Sequence, residues 1–204
     1  MKHLHRSDLF GWSQFDKERD LDFHGTAWIR EGGNVVIDPL PLGTHDAEHL
    51  SRLGGVATVI VTNSDHLRDA ETVARAHGAR LLGPHAEQST FPLRCDGWLS
   101  DGDEPLPGLR VLELWGSKTP GELALLLEET TLVTGDLIRA PLGGQLALLP
   151  PAKLKDPTRA WQSVERLARL GTIDAVLVGD GWPVFREGTR ALQELLAKRS
   201  LAGD

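Results

Sequence analysis

Five polar stretches of this chain each follow an apolar, strand-like run, and they hold its most reactive side chains. Asp38 ends Val-Val-Ile-Asp-Pro, and Asn63, Ser64, Asp65, His66 and Arg68 follow Val-Ile-Val-Thr. Ser117 and Lys118 lie in Gly116-Ser117-Lys118-Thr119-Pro120-Gly121, Asp136 follows Leu-Val-Thr-Gly, and Asp180 sits in Gly179-Asp180-Gly181. The C-terminal edge of a buried sheet opens onto loops and helix N-termini, where ligands and reacting groups collect. The amide of Asn63 and the carboxylates of Asp65, Asp136 and Asp180 are oxygen donors, suited to a hard cation such as Mg²⁺ or Mn²⁺. Zinc prefers imidazole and thiolate. His66 is the one histidine inside these loops and the candidate general base, with Asp65 or Asp69 as the nearby carboxylate. Ser64 and Ser117 have no Ser-His-Asp spacing around them that would make either a nucleophile.

The elements that must position these loops can be read from apolar periodicity. Residues 25–30 and 34–38 form a hairpin across Glu31-Gly32-Gly33. Thr44 offers an N-cap to a helix over 46–53 that Gly54 and Gly55 stop. Residues 56–62 are a buried strand, 67–77 a helix ending at Gly78, and 80–82 a short strand. Residues 84–107 are irregular with short strands, followed by strands at 109–114, 123–127 and 131–134. Asp156-Pro157 opens a helix over 159–170, 173–178 is a last buried strand, and a helix spans 184–199. The two hairpins contradict a doubly wound parallel sheet. Two mixed sheets packed face to face with helices outside fit the order better.

Composition narrows the function classes. The chain has 204 residues, 40% hydrophobic, enough for a sizeable core in one domain over 1–204. With 22 basic residues against 29 acidic ones and no basic run, phosphate neutralisation is not on offer, so no nucleic-acid partner is expected. Cys95 is alone, which rules out an intrachain disulfide and a thiolate zinc site. No apolar stretch approaches the ~18 residues of a membrane span, and the expectation is a soluble cytoplasmic protein without a membrane partner. The eight histidines look at first like a store of metal ligands. Only His66 falls in a loop of interest.

The order and spacing of the five loops resemble the metallo-β-lactamase-fold hydrolase superfamily over essentially the whole chain. That resemblance implies an α/β fold, an αββα four-layer sandwich of two mixed sheets flanked by helices, with metal ions at one sheet edge. The family's Thr-His-x-His-x-Asp-His falls on Thr62 and the stretch from Asn63 to Arg68, and its Gly-His-Thr-Pro-Gly on Ser117-Lys118-Thr119-Pro120-Gly121. Its Gly-Asp matches Gly135-Asp136, the last histidine falls on Asp180, and its acidic residue behind the site falls on Asp38. The departures carry the chemistry: ligand positions hold Asn63, Asp65, Leu67, Arg68 and Lys118, and only Asp136 is kept.

Three carboxylates, Asp65, Asp136 and Asp180, then face two fixed cations, Arg68 and Lys118, which neutralise most of the charge a metal would balance. The expectation is no cofactor, with a single Mg²⁺ or Mn²⁺ on Asp65, Asp136 and Asp180 as the alternative. The resemblance implies a hydrolase of a small ester, lactone, thioester or phosphoester with an altered, zinc-free site. His66, Asp65, Lys118 and Arg68 are its candidate catalytic residues, and Asn63, Ser64, Ser117 and Trp182 its candidate substrate contacts. The alternative is a catalytically silent small-anion binding or regulatory module. In either case the partner is a small anionic or ester-type molecule, and self-association stays open.

Overall fold

A computed structural model describes residues 1–201. The chain divides into two compact units, one over Met1–Leu99 and one that starts at Ser100.

The first unit carries β1 (Lys2–His3), β2 (Leu9–Asp16), β3 (Leu21–Trp28), β4 (Val35–Ile37), α1 (Thr44–Arg52), β5 (Thr58–Ile60), α2 (Ala70–His77), β6 (Arg80–Pro84) and β7 (Gly97–Leu99). They make one seven-stranded mixed sheet in chain order. β1 to β4 pair antiparallel, and β4 to β7 parallel. Parallel neighbours need crossovers. Two of these are the helices, whose Leu50, Ala70, Val73 and Ala74 pack with Val36, Val59 and Leu81 of the sheet. The expected hairpin is present as β3 and β4, with Thr26 opposite Ile37. β3, however, begins at Leu21 and runs its whole length against β2, from Asp16↔Leu21 to Leu9↔Trp28. α1 begins at Thr44, so the cap is Gly43 and not Thr44, and no side chain caps it. α2 starts three residues later than 67, because residues 64–66 form a 3₁₀ turn of their own.

The second unit carries β8 (Leu109–Glu113), β9 (Leu123–Leu127), β10 (Thr131–Thr134), β11 (Ile138–Leu142), β12 (Gln145–Leu148), α3 (Pro157–Ala168), β13 (Ala175–Val178) and α4 (Gly188–Leu201). Its four-stranded sheet has the order β13-β10-β9-β8, parallel at β13 and antiparallel elsewhere, and β11 and β12 form a separate hairpin. Leu112, Leu126, Leu132 and Val176 of the sheet bury against Ala160, Val164 and Leu167 of α3 and Leu192 and Leu195 of α4. Asp156 caps α3 by accepting from Arg159 N, with Pro157 in the first turn, as its sequence predicts. The last helix starts at Gly188 and not at 184, since Val184 pairs antiparallel with Val176 and extends the sheet first. No described helix is long and apolar enough to cross a membrane.

A bidentate pair ties α3 to the turn before β8. Arg166 donates to both oxygens of Asp101 at 2.7 and 2.9 Å, and the Glu113 amide adds a third bond at 2.9 Å. Burial pushes the Asp101 carboxyl up, but the Arg166 and Glu113 hydrogen bonds outweigh it and hold the group below its ordinary 3.8. A depressed carboxyl stabilises the fold above its unfolded value and loses that contribution as pH falls through its folded value. Asp101→Asn should therefore lower the urea midpoint at neutral pH, and the gap to wild type should close as the buffer is taken below 3.8. A gap that persists in acid would place the effect in packing and not in charge.

Candidate functional site

In the first unit the chemistry gathers where β4 and β5 end. These strands run parallel with Ile37 opposite Ile60, so Asp38 emerges beside Thr62, and its amide bonds Ile60 O at 3.0 Å. Asp38 adopts φ 45°, a left-handed conformation in which aspartate is tolerated better than most residues. Its carboxylate accepts from the Thr62 amide at 2.7 Å and the Thr62 hydroxyl at 2.6 Å. The next turn is built by Asn63, whose side-chain oxygen accepts from Asp65 N at 2.9 Å while its carbonyl accepts from His66 N at 3.0 Å. That turn points His66 back at the strand ends. His66 Nδ1 lies 2.8 Å from Asp38 Oδ2, and the histidine is only 3% exposed. A carboxylate only accepts, so Nδ1 carries the hydrogen and Nε2 the lone pair.

Arg68 is anchored by main-chain carbonyls and an aromatic ring. Its guanidinium donates to the carbonyls of His24 and Asp38, lies over the Phe23 ring, and brings one nitrogen to 3.5 Å from His66 Nε2. Glu87, buried, accepts from Ser64 N at 3.0 Å and so holds the turn from behind. Asp65 is exposed, and a carboxylate that local spacing does not pick out, Asp38, meets His66 Nδ1.

In the second unit the loop after β8 is locked onto the start of α3. Ser163 Oγ accepts from Trp115 N and donates to Trp115 O, and Gly116 O accepts from the amides of Lys155 and Asp156. Gly116 sits at φ 81°, so close to the helix that a Cβ there would fall 2.2 Å from Asp156 O. The next residue, Ser117, donates its hydroxyl to Glu122, and Glu122 also accepts from Leu137 N at 2.7 Å. Glu122, wholly buried, thus joins the Ser117–Lys118 loop to the one carrying Asp136. Lys118 Nζ lies 2.9 Å from Asp136 Oδ1. Ala140 of β11 pairs in parallel with Gly181, so Arg139 and Asp180 share a face, with a guanidinium nitrogen 4.0 Å from Asp180 Oδ2. Trp182, bonded through its amide to Ala140 O at 2.7 Å, is 60% exposed.

The profile described as Metallo-beta-lactamase superfamily matches residues 1–199. The chain belongs to the metallo-beta-lactamase superfamily. Among solved structures it is similar to a metallo-beta-lactamase family protein from Thermus thermophilus, at 20% identity and TM-score 0.69 over 95% of this chain and 80% of that one. The metallo-beta-lactamase from Pontibacter korlensis gives 16% and 0.73 over 94% of each chain. FIM-1 from Pseudomonas aeruginosa, in its mono-zinc form, gives 14% and 0.73 over 95% and 92%. A search of curated proteins finds no match. At these identities the likeness shows the fold. It is the metallo-beta-lactamase α/β fold expected from the loop order, with its mixed sheets and, among the described residues, four α-helices.

Members of this superfamily commonly hold zinc, and this chain's residues at the ligand positions make a poor zinc donor set. In the first unit the oxygen of Asn63 is engaged by an amide, Arg68 is a cation, and one imidazole nitrogen belongs to Asp38. In the second unit the kept ligand, Asp136, is paired with the lysine that stands where the family has histidine. His66, Asp136 and Asp180 are buried, and each has an atom able to ligate a cation.

The structure therefore brings Asn63, Ser64 and His66 into one turn with Arg68, and Ser117, Lys118 and Asp136 into one bonded set. Thr62, Glu87, Glu122 and Arg139 are the participants that sequence reasoning missed. Glu122 had a signal, an acidic residue directly before the wholly apolar run Leu123–Leu127.

Proposed function

We propose that the chain is a hydrolase of a small ester, lactone, thioester or phosphoester, working without zinc and using His66 to activate water. The observation that carries this reading is the buried contact of His66 Nδ1 with Asp38 Oδ2 at 2.8 Å. Membership of a hydrolase superfamily supports the reaction class. Asp38 takes the orienting role expected of Asp65: it fixes the tautomer, so that Nε2 accepts the proton of the attacking water, and it stabilises the imidazolium that results. Arg68, in the same unit as His66 and with a guanidinium nitrogen 3.5 Å from His66 Nε2, counters the charge that develops on the substrate oxygen. Asn63 and Ser64, in the turn that carries His66, are the proposed substrate contacts of this unit.

A silent small-anion binding module is the second reading, and Arg68 favours it. Its guanidinium stands 3.5 Å from the very nitrogen that a base must offer to water. Assays on p-nitrophenyl acetate, a lactone, a thioester and a phosphodiester, all with EDTA present, separate the two. Turnover that survives the chelator and falls about 10²- to 10⁴-fold in His66→Gln supports the hydrolase. Absence of turnover on every class, together with a thermal shift from acetate or inorganic phosphate, would establish the binding module instead.

A further inference from the structure

Asp136 and Asp180 are 2% and 5% exposed, and within the second unit a carboxylate oxygen of one lies within 4.8 Å of one of the other. Two buried carboxylates this close repel each other and persist only against compensating positive charge. The resemblance implies that a carboxylate at the position of Asp136 would help hold divalent metal. Here the compensation comes from the chain: Lys118 on Asp136 at 2.9 Å, and Arg139 within 4.0 Å of Asp180. Two monovalent side chains bring the same charge as one divalent ion. Neither is loosely placed, since the Lys118 loop is locked to α3 through Gly116 and Trp115, and Arg139 sits on β11 where Ala140 pairs with Gly181.

We infer that Lys118 and Arg139 occupy the electrostatic place of the divalent ion, that Asp136 and Asp180 therefore take up no zinc, and that Lys118 is the group that excludes it. Zinc entering beside both cations would meet their repulsion in a poorly solvated setting. A guanidinium does not lose its proton, and a lysine ligates only as a neutral amine. Lys118 also stands where the superfamily supplies imidazole. Exchanging it for histidine both removes a cation and adds a favoured zinc donor.

The test is metal content, read without substrate, so its outcome is independent of whether His66 activates water. The full chain, Lys118→His and Lys118→Ala, each with and without Asp136→Ala, are equilibrated with Zn²⁺, desalted and analysed for metal. Circular dichroism checks that each is folded. Zinc at this place is the amount that depends on Asp136. Wild type should hold less than about 0.1 equivalents of it, and Lys118→His about one, with a rise in Tm on zinc addition. Near-stoichiometric Asp136-dependent zinc in wild type would overturn the inference. So would folded Lys118→His and Lys118→Ala proteins that both stay empty, since the lysine would then not be what keeps zinc out.

Discussion

Replacing Asp38 by alanine is expected to remove a large share of the stability of the fold, and replacing it by asparagine to spare the fold but cut the activity proposed for His66. The carboxylate accepts three hydrogen bonds, from the Thr62 amide, the Thr62 hydroxyl and His66 Nδ1, all buried. Alanine leaves three donors without an acceptor and places a less tolerant residue at φ 45°. Stranding buried partners in this way costs about 3–5 kcal/mol, against a total of roughly 5–15 for a domain. Asparagine keeps the shape, tolerates the left-handed backbone and still offers one oxygen, so its cost should be about 1–2 kcal/mol. Its second group is a donor, however. Facing His66 Nδ1, it favours the tautomer with the hydrogen on Nε2, which cannot accept a proton from water. Hydrolysis should then fall about 10²- to 10⁴-fold in a protein that stays folded and melts only about 2–8 °C lower. An Asp38→Asn enzyme with wild-type turnover would show that the His66–Asp38 pair is structural.

The Asp38 pair also shows what the sequence could and could not reveal. The strand that ends at Ile37 and the one that ends near Thr62 are legible as apolar runs, because burial on both faces leaves a continuous β-branched signature. That both runs end in polar residues was equally plain. Which carboxylate meets His66 was not, since local spacing points to Asp65 or Asp69, whereas parallel pairing of β4 and β5 delivers a residue 28 positions away. β2 was missed for a related reason. Its sequence, Leu-Phe-Gly-Trp-Ser-Gln-Phe-Asp, alternates poorly and turns polar in its second half, and it becomes a strand because β3 offers eight residues to pair with.

Charge was legible as a count and not as a pairing. Arg68 and Lys118 stood out as cations at positions where the superfamily carries ligands, yet their partners differ in kind. Arg68 spends its guanidinium on two carbonyls, an aromatic face and the edge of an imidazole. Lys118 meets a carboxylate directly. By sequence two cations stand against three carboxylates, whereas in the structure Asp65 is exposed and a further cation, Arg139, lies beside Asp180. Arg139 was invisible because its relevance depends on the pairing of Ala140 with Gly181, 41 residues apart in number and joined by no local pattern.

Gly116→Ala is expected to be among the most damaging single substitutions in the second unit. The residue sits at φ 81°, where an L side chain is strained in any surroundings, and the surroundings here are backbone. An added Cβ would lie 2.2 Å from Asp156 O and 2.4 Å from Ala160 N, atoms of the first turn of α3 that no rotamer change can move. Relief requires shifting the loop off the helix. That breaks the bonds from Lys155 N and Asp156 N to Gly116 O, disturbs the Trp115–Ser163 contacts, and carries Lys118 away from Asp136. Strain, overlap and lost bonds together should exceed about 4 kcal/mol, a fall in Tm of roughly 10 °C or more for a chain of this size. Gly143→Ala is the control, since a Cβ there meets nothing within 4 Å. It should melt within a degree or two of wild type. If both alanines were equally mild, the loop would not be clamped against α3 in solution, and the fixed position argued for Lys118 would lose its basis.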